Sequence, residues 1–123
     1  MLFDYTTLYN RAMPADMKRH WFFILLSLAD RDRHGSGIVR DVLDLTGGEL
    51  RIWPVTLYGS LDELRECAWI REIDTAPEPD EDRGHRRWFR ITPLGRRALH
   101  AEIERMQTLV SVAQRRLARA GES

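Results

Sequence analysis

Apolar residues recur at intervals of three or four positions in three stretches of the first half of the chain. This spacing is typical of helices that bury one face. Phe22, Phe23 and Leu26 widen the apolar face of the first stretch, so we expect that helix to be buried from several directions. The buried positions predicted for the three helices are Met17, Trp21, Ile24, Leu25 and Leu28, then Ile38, Val39, Val42, Leu43 and Leu45, then Leu57, Leu61, Leu64 and Ala68.

Glycine and proline mark the boundaries of these helices. The stretch DRDRHGSG contains two glycines and predicts a turn before the second helix. Gly47 and Gly48 follow the second helix, as C-cap glycines do. Pro54 lies in the first turn of the third helix, where its missing N–H leaves no hydrogen bond unmade. We therefore expect three separate helices with short connections.

Two β-prone segments follow the third helix, at residues 69–74 and 87–91. The polar stretch between them contains two prolines and a glycine, which predicts a β-hairpin with a long tip. The tip is acidic and the returning arm is basic. The acids are Glu78, Asp80, Glu81 and Asp82, and the arginines are Arg83, Arg86, Arg87 and Arg90.

A long helix is predicted after the hairpin. Thr92 and Pro93 form a typical helix start, an N-cap threonine followed by proline. Apolar residues then alternate at spacings of four and three, which is a heptad seam of the kind that pairs two helices. The seam residues, and hence the predicted dimerisation residues, are Leu99, Ile103, Met106, Val110, Ala113 and Leu117.

The order of elements predicts a mostly α fold with a small β-hairpin wing. Three helices followed by a hairpin make a winged helix-turn-helix, in which the third helix enters the DNA major groove. Residues 1–91 are assigned to this DNA-binding domain and to an N-terminal segment, in which residues 4–13 carry a short apolar stripe. Residues 92–123 are assigned to a C-terminal dimerisation helix.

The third helix has the polarity that a recognition helix needs. Its first turns carry short hydroxyl and aromatic side chains, whereas Asp62, Glu63 and Glu66 lie in its later turns. Acids at the entering end would repel phosphate, and the free N–H groups of a first turn attract it. We therefore predict that the end beginning at Pro54 approaches DNA.

Three motifs occur in the same order: His34-Gly35, then PVTLY from Pro54 to Tyr58, then WFRITPLG from Trp88 to Gly95. Together they resemble the PadR family of transcriptional regulators, over roughly residues 20 to 117. The resemblance implies a homodimeric repressor with one long C-terminal helix per chain. Val55 stands where relatives carry glycine, and Ser36-Gly37 where an aromatic and a small residue are common. These departures fall at positions expected to face DNA.

The candidate DNA-binding residues lie in four parts of the chain. The turn before the second helix and the start of the third helix are candidates because they belong to the motifs. The wing arginines are candidates because of their charge, and Arg51, just before the third helix, is a further candidate for a phosphate contact. Alternatively, Tyr58 packs, Thr56 caps the helix, and the wing arginines pair with the acidic tip. The candidates are His34, Ser36, Arg51, Val55, Thr56, Tyr58, Gly59, Ser60, Arg83, Arg86 and Arg87.

Charge both weakens and supports this hypothesis. The 123 residues carry 19 basic and 19 acidic side chains, and a net charge of zero is unusual for a dedicated nucleic-acid binder. However, residues 83–97 contain only basic charges, all of them arginine, so the neutral total hides a basic patch. The alternative function is a winged-helix module that binds another protein.

A ligand-responsive function is a further alternative. Some PadR relatives bind flat aromatic compounds between subunits, in a pore lined by the first and last helices. By that resemblance Trp21 and Met106 are candidates for a pocket that binds a small aromatic effector. Trp21, Phe22 and Trp88 could equally be core residues, and the last helix contains no tryptophan.

The remaining chemistry argues against catalysis. Cys67 and the four histidines, His20, His34, His85 and His100, lack the spacing of a metal site, and no phosphate-binding loop occurs. We therefore expect no enzyme activity, no metal and no cofactor. The longest apolar run is too short to span a membrane, and no signal peptide is evident. The partners expected are double-stranded DNA and a second copy of the chain, in the cytoplasm.

Overall fold

The computed structural model describes residues 17–74 and 86–122. These residues form a winged helix-turn-helix followed by a long helix, which confirms the predicted fold class. The elements are α1 (Arg19–Leu28), β1 (Arg33–His34), α2 (Gly35–Leu45), α3 (Pro54–Glu66), β2 (Ile70–Ile73), β3 (Trp88–Ile91) and α4 (Pro93–Glu122). The N-terminal segment and the acidic wing tip, predicted as an arm and a hairpin turn, lie outside the described residues.

The sheet has one strand more than the hairpin that the sequence predicts. Its three antiparallel strands are ordered β1-β3-β2. The added strand β1 is two residues long and pairs Arg33 with Phe89 and His34 with Trp88. A strand of that length has no detectable hydrophobic alternation, so the sequence showed only a turn. The pairing ties the start of α2 to the wing.

α1 lies at the centre of the hydrophobic core. Ile24 and Leu25 are fully buried, and α1 packs against α2, α3, α4 and the sheet. Trp21 lies edge-on to Trp69, with ring centroids 5.7 Å apart. The apolar residues predicted for one face of each helix thus meet in a single core. Its buried members also include Leu28, Ile38, Val42, Leu50, Ile52, Leu57, Leu61, Leu64, Ile70, Phe89 and Ile91.

Two predicted core positions have a different role. Ala68 was expected on the buried side of the third helix, but it is exposed and follows α3 in a left-handed conformation, with φ of 61°. Leu45 is 49% exposed at the end of α2. Both residues lie where a helix is ending, and helical periodicity does not hold there. By contrast, Gly47 and Gly48 have positive φ angles, as C-cap glycines should.

The start of α4 is held by hydrogen bonds to the turn between α3 and β2, which contains Ala68 and Trp69. The Thr92 hydroxyl donates to the Ala68 carbonyl at 2.6 Å and accepts from the Gly95 N–H at 3.0 Å. The Thr92 N–H donates to the Trp69 carbonyl at 2.9 Å. Gly95 lies so close to this segment that a Cβ on it would be 2.1 Å from the Trp69 oxygen. Only glycine fits at this crossing.

The rest of α4 leaves the body of the domain. Leu99, which was predicted for the dimer seam, is 6% exposed and lies in the core of its own chain, which leaves little of its surface for a partner helix. Ile103 packs partly on the same core. Beyond it, Met106, Val110 and Leu117 are exposed. Among the described residues no helix is long and apolar enough to cross a membrane.

We predict that Gly95→Ala lowers the free energy of unfolding by about 3 kcal/mol, because the new methyl group overlaps the Trp69 carbonyl, which is backbone and cannot move aside. Gly59→Ala is the matched control. Its Cβ meets no described atom within 4 Å, and alanine is the better helix former, so stability should stay equal or rise. Urea denaturation measures both. Equal effects from the two substitutions would contradict the close approach.

Candidate nucleic-acid interface

The first turns of α3 project from the domain. Val55 is 89% exposed and Trp53 is 61% exposed, and Thr56 and Gly59 are also exposed. Pro54 occupies the first position of the helix. Ser60, also predicted to face DNA, is only 7% exposed, so little of its side chain is available to a partner. Leu57, Leu61 and Leu64 hold the opposite face of the helix in the core.

Tyr58 is held between α2 and the wing. A Cβ on Gly35 would lie 2.7 Å from the Tyr58 hydroxyl oxygen, so the ring fits only because residue 35 has no side chain. On the other side, the guanidinium of Arg87 lies 5.4 Å from the Tyr58 ring centroid. Tyr58 remains 37% exposed. Tyr58 therefore packs against its neighbours and is also partly exposed to solvent. The two alternatives drawn from the sequence, packing and facing DNA, are thus compatible.

His34 joins the start of α2 to the wing. Its Nδ1 accepts a hydrogen bond from the Gly37 N–H at 3.1 Å, so the side chain of His34 caps the N-terminus of α2. Its Nε2 lies 2.9 Å from Nη1 of Arg86. A neutral imidazole has only one acceptor nitrogen, so it can accept fully from only one of these two donors at a time. The edge of the ring also packs on Trp88.

The wing arginines are partly neutralised, but by residues other than the expected ones. Arg87 pairs with Glu72 on the adjacent strand β2. Arg90 forms two hydrogen bonds with Asp32, and these bonds, followed by the charge of Asp32, raise the pKa of Arg90 above its usual value. The acidic tip and Arg83 lie outside the described residues, so pairing between them stays a prediction. Arg90 is thus a structural residue that joins β3 to the turn after α1.

Two residues near this surface were not singled out from the sequence. The first is Trp53, which lies at the exposed start of α3. Its ring centroid is 4.7 Å from the guanidinium of Arg51. Arg40 lines an open cavity of about 550 Å³ together with His34 and Trp88. Arg40 follows the exposed Ser36 by four residues, one helical turn, and this spacing is the signal that could have identified it.

The structure therefore brings candidate residues from three elements together. His34 from the start of α2, Tyr58 from α3, and Arg86 and Arg87 from the wing form a connected group. Arg51 lies at the entering end of α3, next to Trp53. The surface as a whole combines an exposed helix N-terminus with guanidinium groups on its flanks. This arrangement suits a polyanion that also presents base edges.

The proposed ligand-pocket residues are not brought together. Trp21 is 8% exposed and belongs to the core, where it contacts Trp69. Met106 instead lines an apolar groove of about 360 Å³ between α1 and α4, whose aromatic member is Phe22. Because Phe22 and Trp21 are neighbours on α1, they point in different directions, and the sequence did not reveal which faces the groove.

Cys67 has no feature of a nucleophile. Burial raises the pKa of its thiol, and the charges of Glu63 and Glu66 raise it further, so the reactive thiolate is disfavoured. Among the described residues no group of histidine, cysteine, aspartate and glutamate is arranged to hold a metal ion.

The profile of the transcriptional regulator PadR-like family matches residues 24–101, which is more than half of the chain. The chain belongs to the PadR family. The match runs from the second half of α1 to the first turns of α4 and includes the candidate DNA-binding residues that the structure describes.

Solved structures of other proteins share this fold. The chain resembles a solved transcriptional regulator from Clostridium thermocellum, with 23% identity, a TM-score of 0.63, and coverage of 77% of this chain and 89% of the other. BpsR of Bordetella bronchiseptica, whose DNA binding is regulated by 6-hydroxynicotinic acid, is 15% identical, with a TM-score of 0.54 and coverage of 87% and 68%.

A third similar protein is an uncharacterized 37.1 kDa protein in transposon TN4556 of Streptomyces fradiae. It is 34% identical over 86 residues, which are 70% of this chain. The match covers 22% of that protein's length. The matched region of this chain is thus similar to one segment of a much longer protein.

We predict a measurable coupling between Gly35 and Tyr58 in this PadR-family domain. Gly35→Ala should lower the free energy of unfolding by about 1 kcal/mol, because the methyl group displaces the Tyr58 hydroxyl. In the Tyr58→Phe background, the same change should cost much less. A double-mutant cycle by urea denaturation checks this. Additive effects would show that the two residues do not contact each other in solution.

Proposed function

We propose that this PadR-family protein is a homodimeric DNA-binding repressor that reads an inverted-repeat operator with α3. The observation that carries the proposal is the exposed N-terminal end of α3, which lies beside the α2 cap and the wing arginines. In winged helix-turn-helix proteins this end meets base edges, while flanking cations position the protein on phosphates. Regulation of transcription, and not catalysis, is the activity that we propose.

The distribution of charge supports DNA over an acidic or neutral partner. Arg51 lies at one end of the exposed helix start, and Arg86 and Arg87 lie at the wing, where Glu72 partly neutralises Arg87. The acids Asp62, Glu63 and Glu66 are in the later turns of α3, away from the entering end. Glu63 is also paired with Lys18 of the segment before α1. The net charge of zero therefore reflects segregated charges and does not oppose DNA binding.

The exposed apolar side of α4 supports a dimer. Met106, Val110 and Leu117 are 40%, 54% and 73% exposed and follow one another at heptad spacing. Leu109 is exposed nearby, at 53%. An apolar stripe of this length on a single helix is typical of an interface. Pairing about this stripe would place the two α3 helices about 34 Å apart, one turn of DNA.

We predict specific binding to DNA upstream of the chain's own gene, with an affinity that falls steeply as salt rises. Arg86→Ala should weaken binding about tenfold and reduce the slope of log Kd against log salt by about one, because one phosphate contact is lost. Arg119→Ala removes the same charge from the far end of α4 and should change neither quantity. Fluorescence anisotropy with labelled duplexes measures both.

The same assay separates DNA binding from protein binding. A chain that ignores both heparin and nonspecific duplex DNA at low salt is not a DNA-binding protein, and the winged-helix interaction module would replace our proposal. Specific binding that survives the combined Thr56→Ala and Tyr58→Ala change would contradict the placement of the recognition surface on α3.

We predict that Val110→Glu converts the dimer to a monomer at micromolar concentration, because two buried carboxylates would face each other across the seam. Thr108→Glu adds the same charge to the opposite side of α4 and should leave the dimer intact. Sedimentation velocity reports the mass directly. A monomeric unmodified chain, or dimers for both variants, would rule out this seam.

A small aromatic effector is a second proposal, and the groove between α1 and α4 favours it. Phe22, Ile103, Met106 and Val110 give this groove an apolar lining, and Gln107 and Gln114 add polar groups. A flat aromatic molecule with one polar edge suits such a lining. Because the groove shares Met106 and Val110 with the proposed seam, a bound molecule would lie at the interface and change the spacing of the two α3 helices. The regulation of BpsR by an aromatic acid is a parallel in a similar fold.

A further inference from the structure

Val55 is an unusual residue for the place it occupies. It is 89% exposed, more than any other large apolar side chain that the structure describes as exposed. Valine is also a weak helix former, because its branched Cβ restricts χ1. At this position in the first turn of α3, neither stability nor solubility favours it. The presence of valine at residue 55 is therefore not explained by folding, which suggests that its side chain contacts a partner.

The surface around Val55 is shaped for close approach. Gly59 follows Val55 by one helical turn on the same face, and a Cβ there would meet no described atom within 4 Å. The helix thus presents one projecting aliphatic group followed by bare backbone. A flat partner could lie along this face and contact the two methyl groups of Val55.

The flanking charges indicate a nucleic acid as that partner. Arg51 stacks on Trp53 immediately before the helix, and Arg87 lies over Tyr58 on the other side. Arg87 is also paired with Glu72, so its charge is partly neutralised, whereas Arg51 has no carboxylate partner among the described ion pairs. Guanidinium groups on both flanks of an apolar side chain match a groove, whose two walls are phosphate backbones and whose floor carries base edges. An apolar protein surface would not require guanidinium groups at both sides.

We propose that Val55 is a specificity residue that contacts the C5-methyl group of a thymine in the major groove. This inference rests on the proposed DNA-binding function. Among the base edges of the major groove, thymine alone presents an apolar group, and the others present hydrogen-bond donors and acceptors. Valine can make no hydrogen bond with its side chain, so it favours thymine and disfavours a polar edge that it would leave unsatisfied.

The experiment replaces thymine by deoxyuridine, which lacks only the C5-methyl group. A high-affinity duplex is first selected from a random library with the full chain. Each thymine of one half-site is then replaced in turn, and the Kd is measured at one salt concentration. We expect one position at which the unmodified chain loses about fourfold in affinity, the effect of burying one methyl group.

Val55→Ala identifies the residue that makes the contact. It removes two methyl groups from an exposed position, so folding should be unaffected, and the penalty for deoxyuridine at that position should fall below twofold. Thr56→Ala, the matched control on the adjacent residue, should keep the fourfold penalty there. Circular dichroism and urea denaturation establish that both variants are folded.

Each outcome decides between the inference and the function on which it rests. If no duplex is selected, the proposed DNA-binding function fails. Strong selection with no deoxyuridine penalty at any position overturns the role of Val55 and leaves DNA binding standing. A penalty that persists in Val55→Ala but disappears in Thr56→Ala also overturns it, because the thymine methyl would then contact the other side chain.

Discussion

The crossing of α4 over the Trp69 carbonyl is the constraint on which the rest of the structure depends. Gly95 allows a backbone approach that no side chain would tolerate, and Thr92 supplies the hydrogen bonds on either side of it. Trp69 is thereby held in the core, where its ring meets Trp21 of α1. This crossing fixes where α4 leaves the winged domain, and the packing of Ala98, Leu99 and Ile103 on the core holds its first turns in place.

The recognition surface depends on packing in the same way. Tyr58 fits against Gly35, Arg87 lies over Tyr58, and His34 caps α2 while it contacts Arg86. These contacts join three elements, so the wing and the exposed end of α3 are held in one arrangement. The glycine of the His-Gly motif thus has a physical reason: it makes room for the tyrosine of the next motif.

α4 has two regions with different roles. Its first turns, including Ala98 and Leu99, belong to the core of the domain, and its later turns present apolar side chains to solvent. Apolar residues at heptad spacing continue through both regions. The reason is that burial in the core of the same chain and burial against a partner both require apolar side chains. This explains why the heptad spacing alone could not separate the core residues of α4 from its exposed apolar residues.

The sequence by itself determined what depends on neighbours along the chain. Helical periodicity, Pro54, Gly47 and Gly48, and the Thr92–Pro93 start are local signals that predicted the helices. The two β-prone segments predicted the wing, and the three motifs carried the resemblance to the PadR family. Only the tertiary structure decided what depends on distant residues: that Ser60 is buried, that Trp21 packs on Trp69, and that residues 33 and 34 pair with β3 as a strand. Helical spacing predicts which side of a helix is apolar, but the exposure of a particular side chain also depends on elements far away in sequence.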